Sequence, residues 1–293
     1  MRRFISCCIL SFITLVFAHG QQKPSSDIFM TLGGGLSTLK YDNSTFRLGA
    51  NIGLNYSYFF NSSIGLSSGV EISLLRGKIE NYEGRTVAQS LIDSENDQYD
   101  LYSVINGFNE DQSVIVLQIP IMISNQGSIL ARHNYFIAGG IKLGLPIRSH
   151  YESNSDKVVC KGWYSEFDNW AETQKFAGFG EFVNISTNSD LSIKPLVMMS
   201  IEVAVKWNIK SVSRSIYTGL YLDYGLNDLK KNSDLPLVTH DNIEGNNYPV
   251  LNSILESGEL ESGYIHDGHS MSSIIDNVLP ICVGVKVGFE LTK

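Results

Sequence analysis

His266 and His269 flank Asp267 and Gly268 in a polar segment near the C-terminus, and imidazole with carboxylate is the donor set that zinc and related ions take. Two histidines in a polar loop read as solvated, so no metal is expected there. Asp93, Glu95, Asp97 and Asp100 alternate with other residues, yet they lack the spacing and the central glycine of a calcium loop. His133, His150 and His240 are scattered, and no Ser/His/Asp set converges on one place, so neither an enzyme nor a cofactor is expected. Gly33-Gly34-Gly35 resembles a phosphate loop only in composition, because it lies inside an alternating stretch where glycine relieves crowding. The remaining constellation is aromatic. Trp163, Phe167 and Trp170 recur at i, i+4 and i+7, the spacing of one helical face, and with Tyr164 they form the candidate partner-binding group.

These residues need elements to position them. The chain has 293 residues, 43% apolar and 18% charged, which suits a folded protein; its net charge of -8 offers no basic face to nucleic acid. Met1-Arg2-Arg3, the apolar run Phe4 to Ala18 and the Ala18-His19-Gly20 ending read as a signal peptide over residues 1–20, removed after Gly20. Cys7 and Cys8 leave with it. Cys160 and Cys282 remain in the mature chain, as one disulfide or two thiols.

In residues 21–293 the dominant period is two. Phe46, Leu48, Ala50, Ile52, Leu54, Tyr56, Tyr58 and Phe60 alternate with Arg47, Gly49, Asn51, Gly53, Asn55 and Ser57. Such alternation marks a strand with two unlike faces. It recurs at Ile28 to Lys40, Ile64 to Arg76, Val114 to Ser124, Tyr135 to Arg148, Ile193 to Trp207, Ile216 to Asp228 and Ile281 to Leu291, which makes eight strands. Their connections alternate in length, with long ones at 77–113, 149–192 and 229–278. An up-and-down barrel puts alternate connections at opposite ends, so the long ones share one end. Those three segments hold 23 of the 30 acids, and Tyr58, Phe60, Tyr135, Trp207 and Phe289 gather at the short-turn end as an interfacial girdle would.

The polar face decides which way the barrel is turned. Arg47, Glu71, Lys142, Glu202, Lys206, Asp223, Lys286 and Glu290 all share the face that carries Gly and Asn. Charges collected inside a narrow barrel can pair, and an apolar exterior then faces lipid. The fold class expected is therefore all-β, an eight-stranded antiparallel up-and-down transmembrane barrel forming one domain. A small pore and a soluble lipocalin-like barrel are the alternatives.

Tyr221 to Asp228, Leu117-Gln118-Ile119-Pro120, Ala138 to Gly144 and Gly284 to Phe289 give the chain, from Asp27 to Lys293, a resemblance to the OmpA-like outer-membrane β-barrels of Gram-negative bacteria. The resemblance implies an outer-membrane location, contact with membrane lipid and insertion by the barrel-insertion machinery, with Phe289 and Leu291 as the signal. Loops on a rigid barrel are where recognition residues reside, so a structural or surface-interaction role is expected through the anionic outer loops, meeting an envelope or surface protein. No peptidoglycan-binding domain is expected after the barrel.

Overall fold

The computed structural model describes residues 24–41, 44–93, 95–130, 133–209, 214–231, 235–243, 246–260 and 271–291. The signal segment 1–20, His266 and His269 lie outside them. Eight long strands make the frame: β1 (Ser25–Lys40), β2 (Arg47–Phe59), β3 (Ile64–Ile92), β4 (Gln98–Leu130), β5 (His133–Tyr164), β6 (Leu196–Ile209), β7 (Arg214–Gly225) and β8 (Leu279–Glu290). Each pairs antiparallel with the next, and β8 returns to β1 with Met30 opposite Phe289, so the sheet closes. Closure removes the sheet edges, the condition that lets β-structure stand in a medium without water.

The pleat then sorts the side chains. Along β2, Leu48, Ile52, Leu54, Tyr56 and Tyr58 are exposed on the outside while Asn51, Ser57 and Phe59 are buried within. The same inversion holds on β5, where Ile137, Ile141, Leu143 and Leu145 are exposed and Ala138 and Lys142 are buried. Of the girdle residues, Tyr58, Phe60, Trp207 and Phe289 are exposed at the short-turn end, and Tyr135 is half-buried. The turn between β2 and β3 is fastened by Asn61, whose Oδ1 accepts from the backbone N–H groups of Ser63 and Ile64. Gly35 answers a close approach: a Cβ there would sit 2.1 Å from the Val283 carbonyl oxygen across the β1/β8 seam. The glycine run is therefore a sheet-packing device.

At the other end the expected loops prove to be largely sheet. β3, β4 and β5 run for 29, 33 and 32 residues, well past the barrel wall, and Gly180–Asp190 joins β5 from His150↔Asp190 to Cys160↔Gly180. This four-stranded projection escaped the period-two reading because register shifts interrupt it at Ile79/Tyr82, Tyr82/Gly84 and Ala88/Leu91. Asn81 and Ser90 take positive φ at those breaks, and each bulge moves the following residues to the other face.

A second layer covers the inner side of the projection. It comprises the hairpin Val238–Ile243 with Asn246–Leu251, a 3-10 turn at Ile254–Glu256 and the strand Ser257–Leu260. Leu101, Ile105, Phe108, Val158, Phe179, Leu237, Leu251 and Ile254 are buried between the layers. Each such side chain taken from water stabilises by about 1.5–3 kcal/mol, so the outer layer has an ordinary aqueous core.

Candidate functional site

The lumen holds a compact ion cluster built from five strands. Glu71 of β3 accepts from Lys142 Nζ of β5 at 2.9 Å and from Lys286 Nζ of β8 at 3.1 Å. Lys142 also reaches Asp223 of β7 at 2.8 Å, and Lys286 reaches Glu202 of β6 at 3.3 Å. Ser73 donates to Glu71 and Ser200 to Asp223, so the carboxylates are hydrogen-bonded as well as paired. All five charged side chains are buried, and the Tyr221 ring lies beneath both ammonium groups, 5.8 and 5.5 Å from its centroid. Three carboxylates against two ammoniums form a bonded plug at mid-barrel.

Nearer the short-turn end, Lys206 is buried among the rings of Phe29, Phe59 and Phe136, with Nζ 5.1, 5.1 and 5.4 Å from their centroids. It pairs with Asp27 and donates to Gln126 at 2.9 Å, so the cation is satisfied on its polar side too. Glu290 is half-buried at the same end, where it accepts from the Ser215 N–H at 2.7 Å. Arg47 departs from the expected lumen position. Its side chain is 41% exposed and forks onto Asp111, because the ladder to β3 lapses between Ala50↔Leu74 and Thr45↔Lys78 and the long stem escapes through that gap.

The aromatic group is also divided differently from the helical spacing. Trp163 ends β5, a turn follows, and Asn169–Ala171 returns antiparallel, so that Trp163 and Trp170 are cross-strand partners with ring centroids 5.0 Å apart. Trp170 packs edge-on against Tyr102 at 5.1 Å, forming a half-buried aromatic strip on the outward face of the projection. Tyr164, one residue further on, faces inward: it stacks on Tyr99 at 5.4 Å and donates to Asp93 at 3.0 Å. Phe167 stands exposed in the turn. A strand sends neighbours to opposite faces, so the four residues cannot form one patch.

Sequence reasoning missed the group that holds the outer layer down. Glu110 is wholly buried above the apolar band and accepts from Gln112 Nε2 at 2.7 Å, Ser253 Oγ at 2.7 Å and the Ile254 N–H at 2.9 Å. Burial is the main cause of its displacement, pushing the carboxyl up to about 7 against the three donors, and Glu256 nearby adds to the rise. The only visible signal was an acid flanked by polar residues in an acidic segment.

Cys160 and Cys282 are both free and buried, Cys160 in the outer layer and Cys282 on β8. His133 opens β5 against the Trp207 ring at 4.8 Å, and His150 lies within the strand rather than at its end. His240 is half-buried beside Phe179, and its loss of solvent lowers its pKa to about 4.

No family model and no curated protein matches the chain. Among solved structures the fold is similar to that of Neisserial surface protein A, at 8% identity and a TM-score of 0.35 over 92% of this chain and 100% of that one. It is likewise similar to Ail, the attachment invasion locus protein of Yersinia pestis, at 10% identity and a TM-score of 0.29 over 92% of this chain and 100% of that one.

Proposed function

We propose that the protein resides in a bacterial outer membrane and acts by surface recognition, its barrel serving as a closed anchor for the rigid outer sheet. The observation that carries this reading is the radial inversion of the barrel, with Leu32, Ile52, Leu143 and Val285 exposed outside and Glu71, Lys142 and Lys286 buried inside. In water that arrangement would leave a continuous apolar belt solvated; in a bilayer the belt meets hydrocarbon, while the enclosed charges pair with one another. Membrane fractionation and heat-modifiable gel migration test the placement. A wild-type protein recovered wholly in the soluble fraction would sink it.

Recognition is assigned to the outward strip of Tyr102, Trp163 and Trp170, which is aromatic, held on paired strands and turned away from the outer core. Rings fixed on a rigid sheet lose little entropy on binding. Replacing Trp163 and Trp170 by Ala is expected to abolish cell-surface or partner binding while leaving insertion and heat-modifiability intact. Retained binding in that variant would remove the strip from the proposal.

The runner-up reading is a small pore, and the ion cluster argues against it. Side chains of β3, β5, β6, β7 and β8 meet across the lumen at 2.8 to 3.3 Å. Planar-bilayer recordings are expected to show no stable open state. Steady steps on the nanosiemens scale would favour the pore.

A further inference from the structure

The ion cluster at mid-barrel is not electrically balanced. Its three carboxylates, on Glu71, Glu202 and Asp223, meet two ammonium groups, those of Lys142 and Lys286. Lys206 is also buried in the lumen, but its ammonium is committed to Asp27 and Gln126. It stands four residues from Glu202 along β6, which is two rungs or about 14 Å of strand. One negative charge is therefore left over in a closed space, and a desolvated charge without a counter-charge is among the least favourable groups a fold can hold.

The unmatched charge sits on Glu202. Glu71 accepts from both lysines and from Ser73, and Asp223 accepts from Lys142 and Ser200. Glu202, 7% exposed, accepts only through Oε2, from Lys286 at 3.3 Å, and its Oε1 has no donor among the described residues. A cavity of about 40 Å³ borders Glu202 and extends toward the rings around Lys206. Two more residues of its wall bring oxygens without a partner. The Tyr217 hydroxyl is buried and unbonded, and Asn55 donates its amide N–H to Thr31 Oγ1 at 3.0 Å while its Oδ1 has no donor among the described residues.

Room on this scale holds about three waters, or one small ion with two waters, and excludes an organic ligand. A carboxylate, an amide carbonyl and a phenol are hard oxygen donors, the type that hard cations take. Calcium would call for about six to eight oxygens, commonly with several carboxylates, whereas Glu202 is the only acid among the lining residues and the excess charge is one.

We propose that this cavity binds one monovalent cation of sodium or potassium size. Glu202 Oε1, Asn55 Oδ1 and Tyr217 Oη are its protein ligands, and water completes the shell. The ion supplies the missing positive charge and ties β2, β6 and β7 together between the plug and the short-turn end. Lys206 shares the wall, but its pairing with Asp27 cancels most of its repulsion on the ion.

This site is independent of the surface role proposed above. To test it, full-length protein is refolded from urea into an uncharged detergent at pH 8, in sodium, potassium or N-methyl-D-glucamine chloride at one ionic strength, and heat-modifiable migration reports the folded fraction. The folding constant is expected to be about tenfold higher in sodium or potassium chloride once that ion exceeds its dissociation constant by about tenfold, because N-methyl-D-glucamine is too large for the cavity. Glu202→Gln removes the excess charge and is expected to abolish the dependence. Tyr217→Phe keeps every charge, removes one ligand and is expected to raise the half-saturating ion concentration several-fold, so the site remains testable if Glu202→Gln does not fold. Equal folding constants in the three salts overturn the site, and so does a dependence that either variant leaves unchanged. A folding constant that ignores the salts and falls as the pH rises, in the wild type and not in Glu202→Gln, would assign the excess charge to a proton on Glu202 and overturn the cation.

Discussion

Replacing Lys142 by Met is expected to lower the stability of the barrel by about 3–5 kcal/mol, the usual cost of breaking a buried ion pair by removing one partner. Among the described residues Lys142 is the only cation paired with Asp223, at 2.8 Å, and one of two paired with Glu71, at 2.9 Å. Without it, three buried carboxylates face one ammonium. Asp223 would keep only the Ser200 hydroxyl. The methionine fills much of the same volume, so the loss reports electrostatics rather than a cavity. Adding Asp223→Asn to Lys142→Met is expected to recover much of the loss, since the new amide carries no charge and accepts from Ser200. Glu71→Gln should cost less than Lys142→Met, because Lys142 retains Asp223 and Lys286 retains Glu202. The urea midpoint of refolding into detergent or lipid vesicles measures all of these. A Lys142→Met protein within about 1 kcal/mol of wild type would show that the cluster is held by packing and not by charge.

The second large effect concerns pH and the outer layer. Glu110 binds its proton more tightly in the folded protein, at about 7, than at its ordinary value of 4.5. Its contribution to docking is therefore fully present below pH 4.5 and is lost as the pH rises through about 7. The shift corresponds to something on the order of 3 kcal/mol between those limits. The groups facing it are Tyr41, Gln112, Tyr151 and Glu256, none of them cationic. Above neutrality the ionised carboxylate retains three neutral donors, and residues 246–260 are expected to open more often. Hydrogen exchange or protease cleavage in that segment should be faster at pH 8 than at pH 5. Glu110→Gln holds the site neutral at every pH, and the difference should vanish. Equal protection of the wild type at both values would show that the carboxylate is stabilised by its donors alone.

A strand's own alternation is local information, and it sufficed for most of the barrel. Eight strands, their inner and outer faces and the lumen position of Glu71, Lys142, Glu202, Lys206, Asp223 and Lys286 can all be read from residues two apart. Partners could not be read in the same way. Lys286 meets Glu71 across 215 residues of chain, and only the register of several ladders brings those side chains to one height. Arg47 had the right parity and the wrong destination, because the opening between β2 and β3 belongs to the pairing of two strands. The outer sheet hid its period behind bulges. Trp163, Phe167 and Trp170 have a spacing that serves a helix or a hairpin equally well until Asn169–Ala171 is seen to pair with β5. Glu110 is the clearest case: its neighbours in sequence are polar and acidic, and it is covered by residues distant in the chain, Ser253 and Ile254 among them. Periodicity follows from the pleat of one strand and so is written in the sequence. Desolvation depends on what lies above a residue, and here only the tertiary structure supplies that.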